Sequence, residues 1–125
     1  MILKAHRLTL PINTEGNDYV VGDIHGHVSQ LKSQLDDLGF NADTDRVICV
    51  GDLIDRGPES IEALELLDEP WFYAVLGNHE YLMVSGMKYK NSRERMTWLN
   101  HGGEWVMSTS PDQWPDWFER IENLP

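Results

Sequence analysis

The sequence is poor in cysteine, in basic side chains and in long apolar runs, and each shortage excludes something. A single cysteine, Cys49, stands among 125 residues. A lone thiol forms no internal disulfide. Inside an apolar run it reads as a small buried hydrophobe, which points to a reducing compartment. Lys and Arg number 10 against 21 Asp and Glu, for a net charge of −11. The basic residues are scattered, so no patch is available to neutralise phosphates, and no nucleic-acid partner is expected. No segment approaches the roughly 18 apolar residues of a membrane span, so no membrane partner is expected either. Lys4, His6 and Arg7 interrupt any apolar leader core at the N-terminus, which makes a cytoplasmic protein the expectation. Low-complexity tracts and independent linkers are also missing. Residues 1–125 therefore read as one domain with one core.

What is present is a pattern used three times. An apolar stretch runs into a glycine and then into a ligand-type residue: Tyr19-Val20-Val21-Gly22-Asp23, Ile48-Cys49-Val50-Gly51-Asp52 and Ala74-Val75-Leu76-Gly77-Asn78. Each apolar run reads as a buried parallel strand, so each polar residue falls just past a strand's C-terminal end. In open α/β sheets that edge is where ligands bind. The unit recurs at 29 and then 26 residues, counted from Asp23 to Asp52 to Asn78, which suits βα crossovers rather than a solenoid. The expected class is α/β, with strands over 18–22, 46–50 and 72–76.

Between the strands, Val28, Leu31, Leu35 and Leu38 form a helical stripe that Gly39 stops. Pro58 suits a first helical position, and Ile61, Leu64 and Leu67 make the next face, ended by Pro70. From Glu80, Tyr81, Leu82, Met83 and Met87 continue a weaker helical pattern. Residues 92–100 make another helix with Met96 and Leu99 on one face, broken by Gly102-Gly103. Trp114, Trp117, Phe118 and Ile121 define a last amphipathic helix. Leu8, Leu10 and Ile12, alternating up to Pro11, suggest an edge strand within 2–12.

The chemistry lies in the residues after each glycine. Asp23 and His25, one residue apart on an extended turn, offer an oxygen and an imidazole to one metal. Asp52 adds a carboxylate whose two oxygens allow it to bridge two metals, and Asn78 adds a neutral carbonyl oxygen. Mixed oxygen and nitrogen donors suit Mn²⁺, Fe or Zn. Two such metals about 3.5–4 Å apart activate water and clamp an in-line displacement. Arg56 supplies a planar fork for a phosphoryl group. His79 diverges from Asn78 and suits the role of general acid, with Asp55 to orient it. A lone Gly-Asp or His carries little information, but three ordered segments, each after a strand, carry much more. His6, His27 and His101 read as surface or turn residues, although His101 stands near enough to the glycine pair to approach the site.

Together the segments Gly22-Asp23-Ile24-His25-Gly26, Gly51-Asp52-Leu53-Ile54-Asp55-Arg56-Gly57 and Gly77-Asn78-His79-Glu80 resemble the PPP family of metallophosphatases, within the calcineurin-like phosphoesterases. That family's signature, GDxHG then GDxxDRG then GNHE, is matched without a substitution. The similarity runs from about residue 18 onward and is strongest to the small bacterial and bacteriophage enzymes. It includes Pro70-Trp71-Phe72 and Gly102-Gly103-Glu104-Trp105. The resemblance implies a two-sheet sandwich flanked by helices, of which this chain looks like the N-terminal portion. It implies a first metal held by Asp23, His25 and Asp52, and a second held in part by Asp52 and Asn78, with Mn²⁺ the favoured ion. Arg56, Asn78 and His79 would then bind phosphate, and His79, paired with Asp55, would act as general acid. The implied reaction is hydrolysis of phosphoserine, phosphothreonine or phosphotyrosine monoesters by metal-bound hydroxide. Two further histidines of the family's second metal site are not found here, which leaves weak activity or none in this chain as an expectation. Uncovered sheet surface would then invite self-association. A symmetrical dinucleoside tetraphosphatase and a catalytically inactive metal-binding fragment are the alternatives.

Overall fold

The computed structural model describes residues 6–125. Its centre is a three-stranded parallel sheet in the order β1-β2-β3, made of β1 (Asp18–Val21), β2 (Arg46–Cys49) and β3 (Phe72–Ala74). Val20 pairs with Ile48 and Ile48 with Tyr73, while Val21 pairs with Cys49 and Cys49 with Ala74. The expected βαβαβ order is therefore present, with strands one or two residues shorter than their apolar runs. Each strand stops before its glycine because the chain there leaves the ladder to build a loop.

The helices are α1 (Val28–Asp37), α2 (Ser60–Glu65), α3 (Asn78–Met83), α4 (Ser92–Asn100) and α5 (Trp114–Glu122). The α1 stripe buries Val28, Leu31 and Leu35, and Gly39 follows it at φ +72°. α2 begins two residues after Pro58, with Glu59 rather than the proline at its start, and tightens into a 3-10 turn over Leu66–Asp68. α3 runs into a π-helical turn over Val84–Lys88. Asn91 caps α4 by accepting the Glu94 amide at 3.0 Å. The inward residue of α4 is Trp98, fully buried, whereas Met96 faces solvent. Of the expected face, Leu99 is half-buried against the core and Met96 is not, and Trp98 was missed because its buried polar partner is not registered by hydrophobic periodicity. Residues 103–108 and 111–113 form 3-10 turns ahead of α5, which buries Trp117, Phe118 and Ile121.

Only one face of the sheet is closed. Val47, Cys49, Phe72 and Ala74 are buried with the helices. On the other face the register lines up Val20, Ile48 and Tyr73, and Val20 is 74% exposed. The strands expected to be buried are thus buried on one side alone, the side that carries the helical core. The expected edge strand over 2–12 is not formed within its described part, 6–12; residues 2–5 lie outside the described residues. Pro11 has no amide to donate to a ladder. Its carbonyl instead accepts Nη2 of Arg46 at 3.0 Å, and the same guanidinium holds Asp18 at 2.7 and 2.8 Å. No described helix is long and apolar enough to cross a membrane.

Candidate functional site

The loops after β1 and β2 are stitched together by backbone. The Ile24 and His25 amides both donate to the Asp52 carbonyl at 3.1 and 3.0 Å, Gly26 donates to Leu53 at 2.8 Å, and Gly57 returns a bond to His25 at 2.9 Å. These bonds require unusual dihedrals. His25, Asp52, Asp55 and Arg56 all have positive φ, from 44° to 77°. Left-handed non-glycine residues cost free energy and persist where surrounding structure fixes them. Four of them in two stitched loops mark the place where the fold spends strain on side-chain placement.

The placement gathers Asp23, His25 and Asp52. One donor atom from each lies within 4.8 Å of the others. His25 Nδ1 bonds the Ile54 carbonyl at 2.9 Å. A carbonyl only accepts, so Nδ1 carries the proton and the Nε2 lone pair is left free, 3.6 Å from Asp23 Oδ2. Two carboxylates and an oriented imidazole make a donor set that fits a divalent cation. Asn78, exposed, is the first residue of α3. The next amide, that of His79, donates to Asp52 Oδ1 at 3.0 Å, so the third segment is tied to the other two.

Beside this set lies a buried acid–base pair. His79 Nδ1 and Asp55 Oδ2 are 2.8 Å apart, and Asp55 has no exposed surface. The His79 ring meets that of His25 edge-on at 4.7 Å, which joins the pair to the candidate metal set. Burial pushes the Asp55 carboxyl up from its ordinary value, while hydrogen bonds from Trp105, His79 and Trp98 hold it down. Arg56 is exposed on the same loop, and its backbone abuts Gly102.

The residues expected from sequence are therefore brought together: Asp23, His25, Asp52, Asp55 and His79 in direct geometry, Asn78 and Arg56 at adjoining positions. His6 and His27 are exposed and outside the cluster. His101 is turned back on its own helix, with Nδ1 2.6 Å from the Thr97 carbonyl, and does not approach the site. Cys49 is buried and its thiol is pushed up to about 11 by burial, which makes it inert.

Sequence reasoning missed three residues that shape the site. Glu80, fully buried, accepts the Asp52 amide at 2.7 Å and the Leu53 amide at 3.0 Å, and reaches back to the Gly77 amide at 3.2 Å. It braces the second loop from the start of α3. Trp98 and Trp105 donate their indole N–H groups to Asp55 at 2.6 and 2.7 Å. Glu80 had a signal, as the fourth residue of its motif. Trp105 had one as well, as the end of Gly102-Gly103-Glu104-Trp105, whereas Trp98 had none.

The family model for calcineurin-like phosphoesterases matches residues 19–122. Serine/threonine-protein phosphatase 2 of Escherichia coli K12 is 46% identical over 95 residues, covering 76% of this chain and 42% of that protein. A symmetrical bis(5'-nucleosyl)-tetraphosphatase of Pseudomonas putida F1 is 36% identical over 108 residues, covering 85% of this chain and 36% of that protein. Among solved structures, a putative diadenosine tetraphosphatase superposes with a TM-score of 0.69 at 30% identity, over 93% of this chain and 46% of that one. The chain spans less than half the length of each of these relatives. With the family model covering most of its length and the three loops converging as described, the chain belongs to the calcineurin-like phosphoesterases.

Proposed function

We propose that this chain carries the metal- and phosphate-binding core of a phosphomonoesterase that acts on phosphoserine and phosphothreonine, and on phosphotyrosine as a secondary substrate. The observation that supports it is the gathering of Asp23, His25 and Asp52 within 4.8 Å, beside the buried His79–Asp55 pair. Asp23, His25 and Asp52 would hold one divalent ion, and Asp52 with Asn78 would hold part of a second, Mn²⁺ suiting the mixed donors. Bound there, the ions supply acidified water and polarised phosphoryl oxygens. Arg56 grips the phosphate through its planar fork, with Asn78 and the His79 imidazole on the same rim. His79 gives its Nε2 proton to the leaving oxygen as the P–O bond breaks, and Asp55 keeps the ring oriented for that transfer. The buried free Cys49 suits a reducing, cytoplasmic setting.

A second reading, symmetrical dinucleoside tetraphosphatase, is favoured by the Pseudomonas putida relative and by the fold match at TM-score 0.69. Manganese-dependent turnover of a phosphoserine peptide and of diadenosine tetraphosphate, each beside an Asp52→Asn control, separates the two. Faster peptide hydrolysis that the control abolishes supports the phosphatase reading, and the reverse preference supports the second. Metal binding with no turnover of either substrate supports a catalytically inactive metal-binding segment. The uncovered sheet face around Val20, Ile48 and Tyr73 is offered as a self-association surface. Sedimentation should then show a concentration-dependent dimer that Val20→Lys removes, and a clean monomer at all concentrations refutes it.

A further inference from the structure

The two indoles on Asp55 do more than fill the core. Asp55 Oδ2 accepts Trp98 Nε1 at 2.6 Å and faces His79 Nδ1 at 2.8 Å, while Oδ1 accepts Trp105 Nε1 at 2.7 Å. Trp98 and Trp105 come from 43 and 50 residues away in the chain, one on α4 and one on the 3-10 turn that follows it. Their convergence is built by the turn between them. Gly102 sits at φ +106°, and a Cβ at Gly103 would lie 2.4 Å from Trp98 Cδ2, so only a bare backbone lets the chain pass over the first indole. The rings then pack edge-on at 6.2 Å, and Trp105 is backed by Trp117 at 5.6 Å.

An indole donates one hydrogen bond and is otherwise hydrocarbon. Two of them occupy both oxygens of the carboxylate and admit no water on that side. Rotating the carboxylate breaks both indole bonds at once. The direction that remains open is toward His79 Nδ1.

We propose that Trp98 and Trp105 are positioning residues, which lock Asp55 so that His79 is held in one orientation with its proton on Nδ1 and Nε2 turned to the leaving oxygen. This rests on His79 acting as the acid of the proposed phosphatase. In that step water gives one proton to solvent and its hydroxide adds to phosphorus, the P–O bond to the leaving group breaks, and that oxygen takes the Nε2 proton of the doubly protonated ring, which is left neutral with its proton on Nδ1.

The test uses the whole chain with ¹⁵N-labelled histidine and tryptophan. Position 105 is replaced by β-(3-benzothienyl)alanine, which keeps the ring shape and lacks the N–H, alongside Trp105→Phe. In the wild type, at a pH where the ring has given up its Nε2 proton, His79 should show a protected Nδ1–H and an acceptor-type Nε2, with both indole N–H signals shifted downfield. In either variant the His79 signals should move to a mixture of tautomers while the melting curve stays cooperative. A pure, unchanged Nδ1–H state in the benzothienyl variant overturns the proposal, whether or not the phenylalanine variant folds. With manganese present, kcat for phenyl phosphate should fall about tenfold in the variants. That for p-nitrophenyl phosphate, whose leaving group needs little protonation, should fall less than about threefold. Equal losses on both esters also overturn it. His79→Asn separates the underlying reading: equal losses there refute His79 as the acid, while the tautomer measurement still decides whether the indoles position it.

Discussion

The three motif glycines look equivalent in the sequence, and the structure ranks them. A Cβ on Gly22 meets nothing within 4 Å. Gly22→Ala should be neutral, or stabilising by about 0.4–1 kcal/mol through the stiffer unfolded chain. A Cβ on Gly77 would lie 2.2 Å from the Asp52 amide nitrogen, 2.5 Å from Glu80 Oε1 and 2.6 Å from Asp52 Oδ1. Real contacts start near 3.0 Å, so the second loop must retreat by roughly 1 Å or the start of α3 must lift. Overpacking of that kind costs about 1–3 kcal/mol. Gly51 combines φ +96° with a Cβ position 2.7 Å from the Gly77 nitrogen. Its alanine adds about 1–2 kcal/mol of backbone strain to a similar overlap. For a domain of this size 1 kcal/mol shifts the melting temperature by about 3–5 °C. Gly77→Ala should therefore melt about 3–15 °C lower than wild type, and Gly51→Ala lower still. Because Asp52 is what the Gly77 methyl displaces, Gly77→Ala should also weaken Mn²⁺ binding by about 10–100-fold, the range for disturbed support around a ligand. Melts and calorimetric metal titrations on the three variants check the order. Equal damage from Gly22→Ala and Gly77→Ala, or none from Gly77→Ala, refutes the reasoning.

Two pH effects follow from buried acids. Burial, aided by the Asp52 charge, pushes the Glu80 carboxyl up to about 7 from 4.5, against the pull of the loop amides. The folded metal-free chain then keeps a proton that the unfolded chain releases. Its stability should fall by about 3 kcal/mol as pH rises from 4.5 to 7 and be flat above that. Thermal melts across that window should show the decline, and Glu80→Gln should remove it; an unchanged slope contradicts the assignment. Asp45 behaves oppositely. The Asn17 and Asn41 amides, at 2.7 and 2.8 Å, hold its carboxyl below the usual carboxylate range. Its stabilisation is present above pH 3.8 and is lost as pH falls through the lowered folded value, so Asp45→Asn should flatten the acid limb of the stability curve.

How much of this was legible in the sequence depended on the range of the signal. The strand–glycine–ligand units are local, and Asp23, His25, Asp52, Asp55 and His79 were readable because topology alone carries them to one sheet edge. The α1 stripe and α5 were readable because hydrophobic period fixes a buried face. On α4, Leu99 was read correctly as inward, but Trp98 was missed because it is held by a bond to Asp55, a contact across 43 residues. Glu80 carried a motif position without a visible role, since its partners are backbone amides, which leave no trace in composition. An uncovered sheet surface was expected from the resemblance, but which face it would be was not legible: Val20 and Ile48 are as apolar as Val47 and Cys49, and nothing local says which side the helices choose.

The central claim is that the loops after β1 and β2 build one divalent-metal site, and binding itself tests it most directly. Mn²⁺ titrated into the intact chain, followed by calorimetry and by loss of the free-ion electron paramagnetic resonance signal, should show saturable binding. Asp23→Asn, His25→Asn and Asp52→Asn should each weaken it by at least about tenfold, with Asp52→Asn the most severe, while Asp45→Asn leaves it unchanged. Binding that survives all three substitutions, or no saturable binding to a folded wild-type chain, contradicts the account.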